Sequence, residues 1–225
     1  MIKDQIAQTD RRADYSVYLV TDRALLSGRR LADVVAAAVA GGVTVVQIRE
    51  KDLCARDIVA EALECLAVTR PAGVPLLIND RVDVALAVDA DGVHVGQEDV
   101  PAGLVRKLIG PDKILGVTAH DRSELERAVA DGADYVGSNA VFGTPTKSDI
   151  RPPIGPEGLR ERYADSPVPV VAIGGIDHRN AAEVIRAGAD GVAVVRAIMA
   201  ASDPEQAARE LVEIVRASLA ETGRE

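Results

Sequence analysis

Eight short apolar runs recur along this chain, and each one stops at a polar or glycine-rich cluster. Residues 17–20 lead into Thr21 and Asp22, 43–46 into Gln47, Arg49 and Lys51, 76–78 into Asn79 and Asp80, and 93–95 into Gly96, Gln97 and Asp99. Residues 114–117 then lead into Thr118 and His120, 135–137 into Ser138 and Asn139, 168–173 into Gly174 and Gly175, and 191–195 close at Arg196. Segments of helical length separate the runs. Near-continuous Val/Ile/Leu strands are what a parallel sheet needs when helices cover one face and a packed interior the other. Eight of them predict an α/β fold, a single (β/α)8 TIM barrel, with its active site at the C-terminal ends of the strands.

The 225 residues, 48% of them hydrophobic, suffice for one barrel over 1–225 and leave no room for a second domain. A formal charge of −9 with no basic block argues against nucleic acid or an anionic membrane as partner. An anionic ligand then needs a local focus of positive charge. Only 2% of residues are aromatic, so the core is aliphatic and offers no stacking platform for bases. Cys54 and Cys65 match no metal or redox spacing and read as reduced thiols. Residues 1–14 read as a short polar extension without an apolar targeting core, and 34–46 is too short and glycine-broken to span a bilayer. A cytoplasmic location is expected, and the oligomeric state stays open.

Apolar residues at three and four spacing predict helices over 30–40, 55–69, 123–130, 179–187 and 204–219. A turn recurs before the strands, as Ala-Gly-Gly at 40–42, Ala-Asp-Gly at 90–92, Asp-Gly-Ala-Asp at 131–134 and Ala-Gly-Ala-Asp at 187–190. There Gly ends the helix in the left-handed region, and the pattern is a degenerate βα repeat. Residues 140–156, rich in Gly, Pro and Thr, form a connection much longer than usual and are expected to be a lid over the site.

Gln47, Arg49 and Lys51 alternate, so an extended backbone puts all three on one side. With Lys147 on the lid they gather cations able to hold a diphosphate, the alternative being a solvated triplet with Glu50 pairing locally. Asp80 and Asp99 bring carboxylates from neighbouring strand ends to one rim, a donor set suited to Mg2+ that also binds substrate phosphate and water. Their other reading is a helix cap at Asp80 and a turn at Asp99; Asp83, Asp89 and Asp91 fit such roles better. Gly174-Gly175 and Val195-Arg196 follow the seventh and eighth strands, where barrels of this kind bind phosphate, or else form a tight turn. His94 reads as a satisfied interior histidine, His178 as part of the first turn of a helix, and His120 as a group able to approach the site. No Ser-His-Asp or Cys-His arrangement and no zinc spacing is present.

YLVTD (18–22), QIREK (47–51), LIND (77–80), GVHVGQED (92–99), GVTAH (116–120), GTPTK (143–147), IGGI (173–176) and GADGVAVV (188–195) together resemble the thiamine-phosphate synthase family. The resemblance runs in order over about 15–211. It implies a transferase that joins a hydroxymethylpyrimidine diphosphate to a thiazole phosphate or its carboxylated form, both small-molecule substrates, and releases diphosphate and, with the carboxylated thiazole, carbon dioxide. It assigns the pyrimidine diphosphate to Gln47, Arg49, Lys51, Asn79, Thr118 and Lys147, with Arg49, Lys51, Lys147 and Thr118 as the catalytic groups. It assigns Mg2+ to Asp80 and Asp99, and the thiazole phosphate to Thr144, Thr146, Gly174, Gly175, Val195 and Arg196. Three departures from the family pattern stand out: Thr118 for a usual Ser, Ser138-Asn139-Ala140 for a Gly-Pro-containing segment, and Arg196 for a frequent Ser. The rival expectations are a related thiazole tautomerase, which needs neither the two carboxylates nor Lys147, and a non-catalytic phosphate-ligand sensor. A Schiff-base aldolase would need a lysine inside a strand, whereas Lys51 and Lys147 fall beyond strand ends.

Overall fold

The computed structural model describes residues 13–144 and 152–223. Eight parallel strands pair in sequence order and close on themselves: β1 Val17–Val20, β2 Val45–Ile48, β3 Leu76–Asn79, β4 Gly92–Val95, β5 Ile114–Thr118, β6 Tyr135–Ala140, β7 Val170–Ile173 and β8 Gly191–Val194. The expected barrel is therefore present. Around it stand α1 Leu31–Ala40, α2 Ala55–Thr69, α3 Val82–Ala87, α4 Ala102–Ile109, α5 Arg122–Ala130, α6 Gly155–Tyr163, α7 Ala181–Arg186, α8 Arg196–Met199 and α9 Pro204–Glu221.

The helices α3, α4, α6 and α8 were not among the predicted ones. They have 6, 8, 9 and 4 residues; α5 and α7 are no longer, at 9 and 6, but lie within the apolar periods read over 123–130 and 179–187. β2 extends two residues further than its apolar run and takes in Gln47. β6 likewise absorbs Ser138-Asn139-Ala140, all buried. These polar residues remain in a strand because they satisfy the backbone around an irregular register between Gly137 and Ala140. Ser138 Oγ accepts from the Ile173 N–H at 3.2 Å, and Asn139 Oδ1 accepts from the Ala140 N–H at 2.8 Å. The irregular connection thus starts after Ala140 and ends before Gly155, and its residues 145–151, like most of the 1–14 extension, lie outside the described residues.

The recurrent turns have a common bond. The N–H of Leu76, which opens β3, donates to Asp91 Oδ2 just before β4, at 2.9 Å. Leu115 near the start of β5 does the same to Asp134 at 2.7 Å, and Val170 at the start of β7 to Asp190 at 2.8 Å. In the first repeat Thr44 Oγ1 takes that place for Val17 of β1, at 3.1 Å. Each odd strand is therefore tied at its lower end to the turn that launches its even neighbour, and a buried N–H without such a partner costs about 1–3 kcal/mol.

One apolar layer lies between the barrel and the helices, and a second fills the barrel with Tyr15, Tyr18, Val20, Val45, Leu77, Tyr135, Val171 and Ala193. Gly116 makes room for the Tyr135 ring, since a Cβ there would stand 2.2 Å from Cζ. Along the inward face of a strand the period is two. The apolar positions Val45 and Leu77 are therefore followed by Gln47 and Asn79, and the interior turns polar at the end where the strands stop.

Candidate active site

That polar end opens into a cavity of about 540 Å³, within the size range of small-molecule sites. Gln47, Arg49, Lys51, Asn79, Asp80, Asp99, Thr118, Thr144, Gly174, Gly175, Val195 and Arg196 all line it. Thr146 and Lys147 lie outside the described residues. Twelve residues from β2 to α8 that the sequence singled out are thus brought around one space.

The alternation after β2 separates the charges as expected. Arg49 and Lys51 face the cavity, while Glu50 turns away and is paired with Arg23 at 3.2 Å. Burial raises the Glu50 pKa, and Arg23 works against that shift. Asp80 takes φ +60°, a left-handed conformation that Asp tolerates better than most residues. Its N–H continues the β3–β4 ladder by donating to the His94 carbonyl at 2.8 Å, which holds it beside the end of β4. Asp99 folds back onto that end, accepting from the Gly96 N–H at 2.8 Å. The two carboxylates are close enough to interact directly. Burial first, and the neighbouring Asp80 carboxylate second, raise the Asp99 pKa. Lys51 is ion-paired with Asp80, so the rim already holds a cation against this acidic pair. Asp83 pairs with Arg81 in the first turn of α3, and Asp89 pairs with Lys113 away from the cavity.

On the opposite side, Gly174 and Gly175 take φ +98° and +63°. A Cβ on Gly174 would stand 2.6 Å from Ala140 Cα, and one on Gly175 2.6 Å from the Gly143 carbonyl oxygen. This is a loop that only glycine can make, packed against the start of the β6–α6 connection. Asn180 braces it by donating to the Gly175 carbonyl at 2.9 Å and accepting from the Asp177 N–H at 2.8 Å. That local network uses up the residues ahead of α7, so the helix starts at Ala181 rather than 179. His178 accordingly lies before the helix, not in its first turn, with Nε2 2.7 Å from the Ala207 carbonyl. Across the gap, the first N–H groups of α8 have no acceptor within the helix. Arg196 lines the cavity beside them. Neither Arg49 nor Arg196 has a carboxylate partner among the described residues, which makes both available to an anion.

Thr21, which ends the first strand, lines the cavity as well, whereas the sequence reading missed Tyr18, Tyr135, Asp177 and Arg179. Tyrosines inside strands of an aromatic-poor chain were the available signal, because a buried phenol needs a partner. His94 is bonded at both ring nitrogens, as an interior histidine should be, and also borders the cavity. His120 reaches the cavity too, with Nδ1 2.7 Å from Glu124 Oε2. Among the described residues, no three His, Cys, Asp or Glu side chains group in a way that would hold a metal ion by themselves.

Comparison with known proteins agrees with this geometry. The family model for thiamine monophosphate synthase matches residues 17–198. A thiamine-phosphate synthase of Chloroflexus aurantiacus is 56% identical over 202 residues, covering 90% of this chain and 93% of that relative. A second, from a Roseiflexus species, is 53% identical over 92% of this chain and 88% of its own length. The solved structure of a thiamine phosphate pyrophosphorylase from Pyrococcus furiosus superposes with a TM-score of 0.83 at 39% identity, covering 92% of this chain and 98% of the other. The matched span runs from β1 into α8 and so includes every strand that feeds the cavity: the chain belongs to the thiamine monophosphate synthase family.

Proposed function

We propose that this protein is a thiamine-phosphate synthase that joins 4-amino-2-methyl-5-hydroxymethylpyrimidine diphosphate to a thiazole phosphate. The observation that carries the reading is the cavity's division of labour. A paired-carboxylate rim and a cation group stand on the β2–β4 side, and a glycine loop with α8 stands on the β7–β8 side. Two anionic substrates fit such a space in an otherwise acidic protein.

Arg49 and Lys51, with Lys147 from the connection after β6, hold the diphosphate. Gln47, Asn79 and Thr118 orient the pyrimidine. Thr144 and Thr146, the Gly174-Gly175 loop and the backbone of Val195 and Arg196 hold the thiazole phosphate, and the Arg196 guanidinium adds a charge there. Asp80 and Asp99 fit Mg2+ by their chemistry. They are two hard oxygen donors at one point, one of them destabilised as an anion by burial and its neighbour, and no third protein ligand among the described residues competes with phosphate oxygens and water. Bound there, Mg2+ would neutralise charge on the diphosphate.

In the reaction the bond between the pyrimidine methylene carbon and the diphosphate oxygen breaks, and the diphosphate leaves with the electron pair. The electron-rich aminopyrimidine carries the resulting positive charge until the thiazole nitrogen forms the new C–N bond. No protein nucleophile is needed. Arg49, Lys51 and Lys147 stabilise the leaving charge, and the walls align the two rings and exclude water. The curated relatives are named as synthases, which favours this reading over a tautomerase or a ligand sensor. A cytoplasmic enzyme fits the two thiols, which form no disulfide, and the lack among the described residues of any helix long and apolar enough to cross a membrane. Asp80→Asn and Asp99→Asn test the rim. Each should lose turnover while circular dichroism stays native, and Mg2+-dependent turnover in either variant would remove the metal assignment.

A further inference from the structure

We propose that Tyr18, Tyr135 and His94 are positioning residues in a one-way hydrogen-bond relay. It runs across the barrel from the Gln47 amide to the Thr118 hydroxyl and holds that hydroxyl as a donor to the cavity.

Four consecutive contacts make the relay. Gln47 Nε2 lies 2.8 Å from Tyr18 Oη, and Tyr18 Oη 2.8 Å from Tyr135 Oη. Tyr135 Oη lies 2.8 Å from His94 Nδ1, and His94 Nε2 2.9 Å from Thr118 Oγ1. Five side chains from β2, β1, β6, β4 and β5 thus form one continuous chain. Both tyrosines are 1% exposed, and burial raises both phenol pKa values, so each keeps its single proton.

Proton counting then sets the direction. Gln47 Nε2 donates to Tyr18, so the Tyr18 proton must find another acceptor, and Tyr135 Oη is the one within reach. The Tyr135 proton in turn goes to His94 Nδ1. A neutral imidazole that accepts at Nδ1 carries its hydrogen at Nε2 and donates it to Thr118 Oγ1. The Thr118 hydrogen has no place left in the relay and points into the cavity, so the ligand atom it meets carries a lone pair. Turning the Gln47 amide over would reverse every bond. The imidazole proton would then sit on Nδ1, Thr118 would donate inward, and the cavity would see only its lone pairs.

The relay is a property of the protein without ligand, so its test does not depend on the proposed reaction. Long-range 1H–15N correlation spectra of the full-length 15N-labelled protein report which ring nitrogen is protonated in each of its three histidines. Spectra of His120→Gln and His178→Gln identify the His94 signals by elimination. The expected result is a proton on His94 Nε2 and a bare Nδ1. In Gln47→Glu the carboxylate can only accept from Tyr18, so the proton should move to Nδ1, three hydrogen bonds from Tyr18's new acceptor. In Tyr135→Phe the Nδ1 donor is gone, and the preference for Nε2 should be lost. A wild-type His94 protonated on Nδ1, or an unchanged tautomer in a folded Gln47→Glu or Tyr135→Phe protein, would overturn the proposal.

Discussion

Replacing Gly175 with Ala measures how firmly the loop after β7 is joined to the segment that leads into Thr144. The left-handed backbone at φ +63° costs an Ala about 1–2 kcal/mol relative to glycine. Its Cβ would also stand 2.6 Å from the Gly143 carbonyl oxygen and 2.8 Å from Phe142 Cβ. Comfortable carbon contacts lie near ~3.5–4.0 Å, so residues 142 and 143 must give way, and overpacking of this kind costs about 1–3 kcal/mol. The two effects together come to about 2–5 kcal/mol. Gly73 supplies the control, because it has φ +68° and nothing within 4 Å of the point a Cβ would occupy, so Gly73→Ala carries the backbone cost alone. Urea unfolding of the two variants should differ by about 1–3 kcal/mol, and KM for the thiazole phosphate should rise more in Gly175→Ala than KM for the pyrimidine diphosphate. Equal stabilities for the two variants would refute the argument that loop and connection are in obligatory contact.

Other consequences are accessible to simple assays. Asp190→Ala strips the Val170 N–H of its acceptor and should cost about 1–3 kcal/mol in urea unfolding; a loss within measurement error would mean that the turn bond is dispensable. All four tyrosines have phenols raised by burial, Tyr163 being pushed up to about 12. Unfolded phenols ionise near ~10, so the stability they contribute is complete below that pH and is lost as pH rises towards the folded values. Tyrosinate absorbance should therefore stay flat through pH ~10 and appear together with loss of the circular dichroism signal; a tyrosine that titrates in the native protein would contradict its burial. Cys65 is buried, with its thiol pushed up to about 12, whereas Cys54 is exposed. One thiol should react quickly with a disulfide reagent and the second only on unfolding; two fast thiols in the folded protein would contradict the burial of Cys65.

The barrel was legible because its signal is repeated eight times and each strand is a buried apolar run. The rim was legible for a related reason: whatever follows such a run falls at one face, so Asp80, Asp99, Arg49 and Gly174 could be placed together without knowing any distance. The short helices α3, α4, α6 and α8 were not legible, and neither was the reach of β6, whose polar end is held in the strand by the side chains of Ser138 and Asn139. The relay from Gln47 to Thr118 was hidden for a different reason. His94 and Tyr135 touch because both are register partners of Gly116 on β5, whose missing side chain lets the two meet, a relation set by strand register and absent from any local pattern. Asp177 and Arg179 pair within a turn whose geometry depends on Asn180, and no period announces them.

The account rests on chemistry between two anionic substrates in this cavity, and product formation tests it most directly. Purified protein would be mixed with the pyrimidine diphosphate and the thiazole phosphate, with Mg2+ or with EDTA, and thiamine phosphate followed by mass spectrometry. The account predicts thiamine phosphate and diphosphate in equal amounts with Mg2+, and neither with EDTA. Folded protein that yields no thiamine phosphate with Mg2+ present would contradict it.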